Sequence, residues 1–229
     1  MIGKRLVIGD AELSRDSLVT DHTLKSKLLA VLLVLVILAA GGCHRPTETG
    51  LFDGKSLGKW KITDFGGQGR VHVKDGVIFL EMGNDMTGVT WTGPVMRMNY
   101  EIELDAMRVQ GSDIFCGLTF PVDANCCSLV LGGWGGQVCG ISSLNYYDAS
   151  ENETTRIIEF QTGRWYHVRV RVAAGKIEAW LDDEKIVDVE TAGKHIDTRI
   201  EMDLSKPLGI ATWRTTGAVR NIRMVPFRP

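Results

Sequence analysis

The chain has few cysteines, little proline, few histidines and no marked excess of either charge, and each shortage narrows the reading. Formal net charge is −2, and the lysines and arginines are spread among acidic residues rather than gathered into a run. That distribution removes the electrostatic footprint of a nucleic-acid partner. The five cysteines include no C-x-x-C pair and have no histidines at ligand spacing, so no zinc site is indicated. No apolar run reaches the roughly 20 residues that a membrane-spanning helix needs. No internal repeat is visible, which sets aside the stacked repeat architectures. Beyond residue 43 no stretch carries a helical period, which argues against a helical bundle.

What is present begins with "LLAVLLVLVILAA", residues 28–40, preceded by Lys25 and Lys27 and followed by "GGC". A short apolar run with basic residues before it and small residues after it reads as an export signal. Ala40, Gly41 and Gly42 ahead of Cys43 resemble a bacterial lipoprotein lipobox. The resemblance implies that Cys43 is acylated, and that the protein is exported and held at the membrane by lipid, in the periplasm or on the outer surface of the cell. The expected organisation is a signal segment over 1–43, a linker over 44–50 and one folded domain over 51–229. Cys116, Cys126, Cys127 and Cys139 then remain, and the sequence leaves open both disulfides and buried free thiols.

Period-two alternation dominates after residue 60. In "NYEIELDA", Tyr100, Ile102, Leu104 and Ala106 face one way and Glu101, Glu103 and Asp105 the other. Val168, Val170 and Val172 oppose His167, Arg169 and Arg171 in the same manner, which makes His167 part of a polar outer face. "GKIEAWLDDEKIVDVE" predicts two strands joined at Asp182-Asp183-Glu184. Further strands are expected over 77–81, 89–91, 114–120, 128–131, 137–141, 156–160, 208–213 and 219–225. Short strands with glycine-rich turns such as "GGWGG" between them predict an all-β antiparallel sandwich. The long polar loop 142–155 is the one interruption, and long loops on rigid sandwiches tend to carry function.

The decamer "LFDGKSLGKW", residues 51–60, fits the entry to such a sandwich, with Phe52 and Leu57 covering the core edge and Trp60 opening the first strand. Together with "VKDGVIFLE", "NYEIELDAM", "GRWYHVRVRVAAGKIEAWLDDEKIVDV" and the closing "GIATW" and "VRNIRMVP", it resembles the 3-keto-disaccharide hydrolase domain family over residues 51–227. The resemblance implies a concanavalin A-like, laminin G-like jelly roll. It also implies action on 3-keto-glycosides: the ketone acidifies the proton on carbon 2, a base removes it, and the group on carbon 1 is expelled. Such chemistry needs a general base and an electrophile to hold the enolate, for which a divalent cation, calcium or manganese, is the candidate. Cys116 and Gly117 stand where the family's strand carries Leu and Arg. A non-catalytic carbohydrate-binding or envelope adhesion module on the same fold is therefore the second reading.

The candidate site residues follow from chemistry and position. Asp113, beside the altered strand, is the candidate base, against an ordinary strand-start turn. Trp134, between two glycine pairs, is a candidate platform for a sugar face, against a lid over the core. Tyr146, Tyr147, Asp148, Asn152 and Glu153 offer stacking faces and acceptors in the long loop, against a solvated loop. Trp213 and Arg214 end a strand that the family places near its site, against structural cation–π packing. A carbohydrate is the expected partner.

Overall fold

The computed structural model describes residues 49–227, and the expected signal segment, Cys43 and most of the linker lie outside the described residues. Fifteen strands form two antiparallel sheets. In chain order they are β1 (Thr49–Gly50), β2 (Trp60–Ile62), β3 (Val71–Lys74), β4 (Val77–Leu80), β5 (Met86–Trp91), β6 (Tyr100–Gly111), β7 (Cys116–Val122) and β8 (Asn125–Gly133). There follow β9 (Val138–Ser142), β10 (Arg156–Ile157), β11 (Trp165–Ala173), β12 (Lys176–Leu181), β13 (Glu184–Glu190), a 3-10 helix (Ile200–Ser205), β14 (Gly209–Trp213) and β15 (Thr215–Pro226). One sheet has the order β13-β12-β11-β6-β15-β4-β3, with β1 added alongside β15, and the other has the order β10-β9-β8-β7-β14-β5-β2.

The alternating sequences make the first sheet two-faced. Tyr100, Ile102, Leu104 and Ala106 of β6 and Val168, Val170 and Val172 of β11 are fully or almost fully buried. Their neighbours pair on the outer face, where Asp105 stands opposite His167, Glu103 opposite Arg169 and Glu101 opposite Arg171. Cross-strand pairs of opposite charge such as Glu103 with Arg169 and Glu101 with Arg171 each contribute a few tenths of a kcal/mol, roughly 0.2–1, and favour this register. The inner faces of both sheets share one core that includes Leu104, Phe115, Leu118, Phe120, Leu129 and Ile210. Truncating such a leucine to alanine costs about 2–5 kcal/mol.

The opening decamer is folded as its residues suggest. Asp53 accepts hydrogen bonds from the backbone N–H groups of Lys55 and Ser56, the chain turns at Gly54 and Gly58 with positive φ, and the Trp60 indole N–H donates to the Leu51 carbonyl at 2.9 Å. The hairpin turns at Asp182 and Asp183, as the sequence predicts. Cys116, Cys126, Cys127 and Cys139 are free and buried.

Three expectations shift. The strand expected from Ile114 begins at Cys116, because Asp113 turns the chain by accepting the N–H of Ile114 at 2.8 Å. The strand expected over 156–160 shortens to Arg156–Ile157, since Phe160 leaves the sheet to pack edge-on against Phe115 and Tyr166. The 3-10 helix was not expected at all.

Candidate functional site

The strands of the second sheet inside its two edges, β5, β14, β7, β8 and β9, are buried on both faces, and their outer face is the foundation of the site. Register places Gly88, Ala211, Gly117, Val130 and Gly140 side by side across five strands. A row of such small side chains leaves the sheet surface hollow, and other segments settle onto it. The 3-10 helix sits so close that a Cβ on Gly209 would lie 2.6 Å from the Ser205 carbonyl. The end of the long loop approaches likewise, with Thr154 Oγ1 2.9 Å from a Cβ built on Gly140. Between these two covers the hollow stays open as a cleft of about 180 Å³.

Gly117, Ser128, Val130 and Ala211 floor the cleft, and Met86, Met202, Trp213, Asp113, Ile114, Trp134, Ser142, Arg199, Glu201 and Thr212 complete its lining. Trp134 occupies the tip of the β8–β9 hairpin with φ +49° and is 43% exposed, so its ring is presented rather than packed. The hairpin is held from Asp113, whose Oδ2 accepts the N–H of Gly135 at 3.2 Å while Oδ1 accepts that of Ile114.

Arg199 is the cation of the cleft. It donates from Nε and Nη2 to both carboxylate oxygens of Glu201, at 3.2 and 3.1 Å, and from Nη1 to Asp148. Its guanidinium lies 5.8 Å from the centre of the Trp134 ring. The paired guanidinium holds the Glu201 carboxyl below its ordinary pKa, and Glu201 in turn raises that of Arg199. Both groups are therefore charged at neutral pH. Among the described residues no three His, Cys, Asp or Glu side chains are grouped so as to hold a metal ion.

The structure thus brings Asp113, Trp134 and Trp213 to one cleft. Asp148 stands one step behind it, accepting from Arg199 and, at 3.2 Å, from the Ser142 hydroxyl. Arg214 is on the rim, outside the lining: it has φ +43°, donates from Nε and Nη2 to Asp85 at 2.9 and 2.7 Å, and lies 5.5 Å from the Trp213 ring centre. Tyr146 and Tyr147 do not line the cleft; Tyr146 is 79% exposed and stacks on His195 at 4.1 Å. His167 lies on the outer face of the other sheet, 3.1 Å from Asp105. Arg199 and Glu201 were missed from sequence. They flank the start of a single short turn, where no periodic pattern can mark them, and an Arg two residues before a Glu is too common a pair to signal a site.

The Asn152 side chain is committed to the fold. Its amide nitrogen donates to the carbonyls of Ile141, Tyr147 and Asp148, and its oxygen accepts from the N–H and hydroxyl of Thr154.

Among curated proteins the sequence has no match. Among solved structures, an apo Crh5 transglycosylase shares 6% identity with a TM-score of 0.54, over 81% of this chain and 85% of its own. A structure from prominent members of the human gut microbiota, which express endo-acting O-glycanases to initiate mucin breakdown, shares 12% at TM-score 0.53, over 81% of this chain and all of its own. A Bacillus licheniformis beta-glucanase shares 12% at TM-score 0.50, over 82% of this chain and all of its own. At such identities the likeness speaks for the fold alone, an antiparallel jelly-roll sandwich. The family model of the 3-keto-disaccharide hydrolases, described as the 3-keto-alpha-glucoside-1,2-lyase-like domain, matches residues 47–225. Because that match runs from the first described strand into the last, the chain belongs to this family.

Proposed function

We propose that the chain is a carbohydrate-active domain whose cleft takes one 3-keto-glycoside ring and cleaves it at carbon 1. The observation that carries this reading is the presented Trp134 ring, which with Trp213 borders a cleft floored by Gly117, Ser128 and Ala211. A cavity of about 150 Å³ accommodates one six-membered ring, and the cleft is of that order. Aromatic faces suit the apolar face of a sugar, and Ser142, Asp113 and Glu201 supply partners for its hydroxyls.

In this reading Asp113 removes the proton on carbon 2, and the electron pair moves onto the carbon 3 ketone as an enolate. Arg199, the cation of the cleft, stabilises the charge on that oxygen. The enolate then re-forms the ketone and expels the aglycone oxygen from carbon 1, which takes up the proton now held by Asp113 and leaves as the alcohol; the unsaturated 3-keto sugar that remains adds water at carbon 1. A resident calcium or manganese does not fit the donor set, which offers no third acidic or histidine ligand beside Asp113 and Glu201.

One observation favours a non-catalytic carbohydrate-binding module as the second reading. Both carboxylates of the cleft already hold donors, Asp113 the N–H groups of Ile114 and of Gly135 in the β8–β9 hairpin and Glu201 the nitrogens of Arg199, and no histidine lines the cleft.

The test is release of aglycone from a panel of 3-keto-glucosides by the purified protein, with and without calcium or manganese. Release that is lost in Asp113→Ala supports the lyase reading. Absence of release together with sugar binding that is lost in Trp134→Ala moves the protein to the binding module. Absence of both sinks the carbohydrate reading. We also propose export and lipid anchoring through Cys43, which predicts incorporation of labelled fatty acid that disappears in Cys43→Ser.

A further inference from the structure

We infer that Arg108, which lies beneath the cleft and does not line it, is a positioning residue that sets the orientation of the Trp134 hairpin. Arg108 continues the inward series Tyr100, Ile102, Leu104 and Ala106 of β6, and it is 6% exposed, so a guanidinium occupies a core position. Placing a charge there costs several kcal/mol unless it is hydrogen-bonded, and a core position of this kind is ordinarily apolar.

Its contacts show where that charge is used. Nη2 donates to the Gly136 carbonyl at 2.8 Å and reaches the Asp113 carbonyl at 3.4 Å. The guanidinium lies over the rings of Phe115 and Phe160, at 5.3 and 5.7 Å. Among the described residues its Nε has no hydrogen-bond partner, so the group is aimed at the hairpin backbone at the expense of its own satisfaction. Burial pulls the guanidinium below its ordinary pKa, with Tyr166 and Asp113 acting in the opposite direction.

The first and last glycines of "GGWGG" are tied to the same contact. A Cβ on Gly132 would lie 2.4 Å from Nη2 of Arg108, and Gly136, with φ +117°, is the residue whose carbonyl receives the bond. Arg108 pulls on the carbonyl of Gly136 and Asp113 on the N–H of Gly135. The two residues after Trp134 are thus fixed from below and from the side, which leaves the ring little freedom to rotate away from the cleft.

The consequence for ligand binding rests on the reading of the cleft as a sugar site, whereas the consequence for Trp134 does not. The experiment is fluorine NMR of the full chain labelled with 5-fluorotryptophan, which has six tryptophans, the Trp134 resonance being assigned by its loss in Trp134→Phe. In Arg108→Met the Trp134 resonance should shift and broaden while those of Trp60 and Trp91 stay in place. An unmoved Trp134 resonance, or an equal disturbance of all resonances, overturns the proposal. Should Arg108→Met fail to fold, Arg108→Lys decides by the same readout, because it keeps the charge but loses the planar guanidinium that lies over Phe115 and Phe160 and from which Nη2 reaches both carbonyls. Titration with a 3-keto-glucoside should then show roughly 10-fold weaker binding in the variant, in line with the loss of an aromatic contact. Absence of binding in the parent protein counts against the sugar reading and leaves the fluorine result to decide on Arg108.

Discussion

Arg199 grips Glu201 through two nitrogens, Nε to Oε2 at 3.2 Å and Nη2 to Oε1 at 3.1 Å, and spends its remaining nitrogen on Asp148. One guanidinium therefore joins the long loop, the 3-10 helix and, through the Trp134 ring 5.8 Å away, the β8–β9 hairpin. These are the three segments that roof the small-residue floor. The three segments meet at this charge cluster.

Acid should accordingly loosen the roof. Arg199 holds the Glu201 carboxyl below its ordinary value of 4.5, and Lys206 does the same for Asp197 and Asp203. A carboxylate whose folded pKa is depressed contributes stability that is complete above its unfolded pKa and is lost as pH falls through the folded value. The unfolding temperature should therefore hold steady near neutrality and fall below about pH 4.5, and Glu201→Gln should flatten the upper part of that fall. Thermal unfolding followed between about pH 6 and pH 3 checks this, and an unchanged profile in Glu201→Gln counts against it.

Gly117 separates the cleft from the fold. A Cβ there would meet the Met202 Cε at 3.2 Å and the Ala211 carbonyl at 3.3 Å, so the neighbours need give only a few tenths of an ångström. Gly117→Val should shift the unfolding temperature by only a few degrees, about what 1 kcal/mol produces, while its methyl groups fill the floor and abolish binding. Gly88→Val is the contrast, since its Cβ would lie 2.5 Å from the Ile210 carbonyl and should disrupt the sheet. Equal damage from both substitutions would show that the floor has no role beyond packing.

The sandwich was legible because each strand of the first sheet states its inside and outside residue by residue. Tyr100, Ile102, Leu104 and Ala106 could be assigned to the core without a structure, and Arg108 lay two residues further along the same series. Trp134 was legible as a presented ring because glycines flank it. The row Gly88, Ala211, Gly117, Val130 and Gly140 was not, since it exists only across five strands whose register no local pattern states. Arg199 and Glu201 were hidden for a related reason. A helix of six residues has no repeat from which a face could be inferred.

Asn152 tests how far the long loop is part of the scaffold. Its two amide N–H groups are shared among three carbonyls, and its oxygen accepts twice from Thr154. With net hydrogen-bond contributions of about 1 kcal/mol each and a penalty for acceptors left without partners, Asn152→Ala should lower stability by roughly 2–4 kcal/mol. Urea unfolding measures that loss, and cleavage within 142–155 by a nonspecific protease should rise in parallel. A loss below about 0.5 kcal/mol, the range of ordinary surface substitutions, would mean that the amide is replaceable by solvent.

Asp113 decides between catalysis and binding, because its two oxygens carry two separable duties. Each already accepts one backbone N–H, and a carboxylate oxygen has a second lone pair free for a proton or a hydroxyl. Asp113→Asn keeps one acceptor oxygen, and so part of the support beneath Trp134, but it cannot take a proton from carbon 2. If Asp113 is the base, this variant should bind a 3-keto-glucoside within a few-fold of the parent and lose turnover by about 100-fold or more, the usual contribution of a general base. Asp113→Ala should lose both, since it also frees the N–H groups of Ile114 and Gly135. If instead the asparagine variant turns substrate over normally, the proton is taken by another group, and Glu201 is the remaining carboxylate of the cleft. Its pairing with Arg199 would then have to open during each cycle, and the activity of Arg199→Lys, which loses the fork but keeps the charge, would report that opening as a changed pH profile.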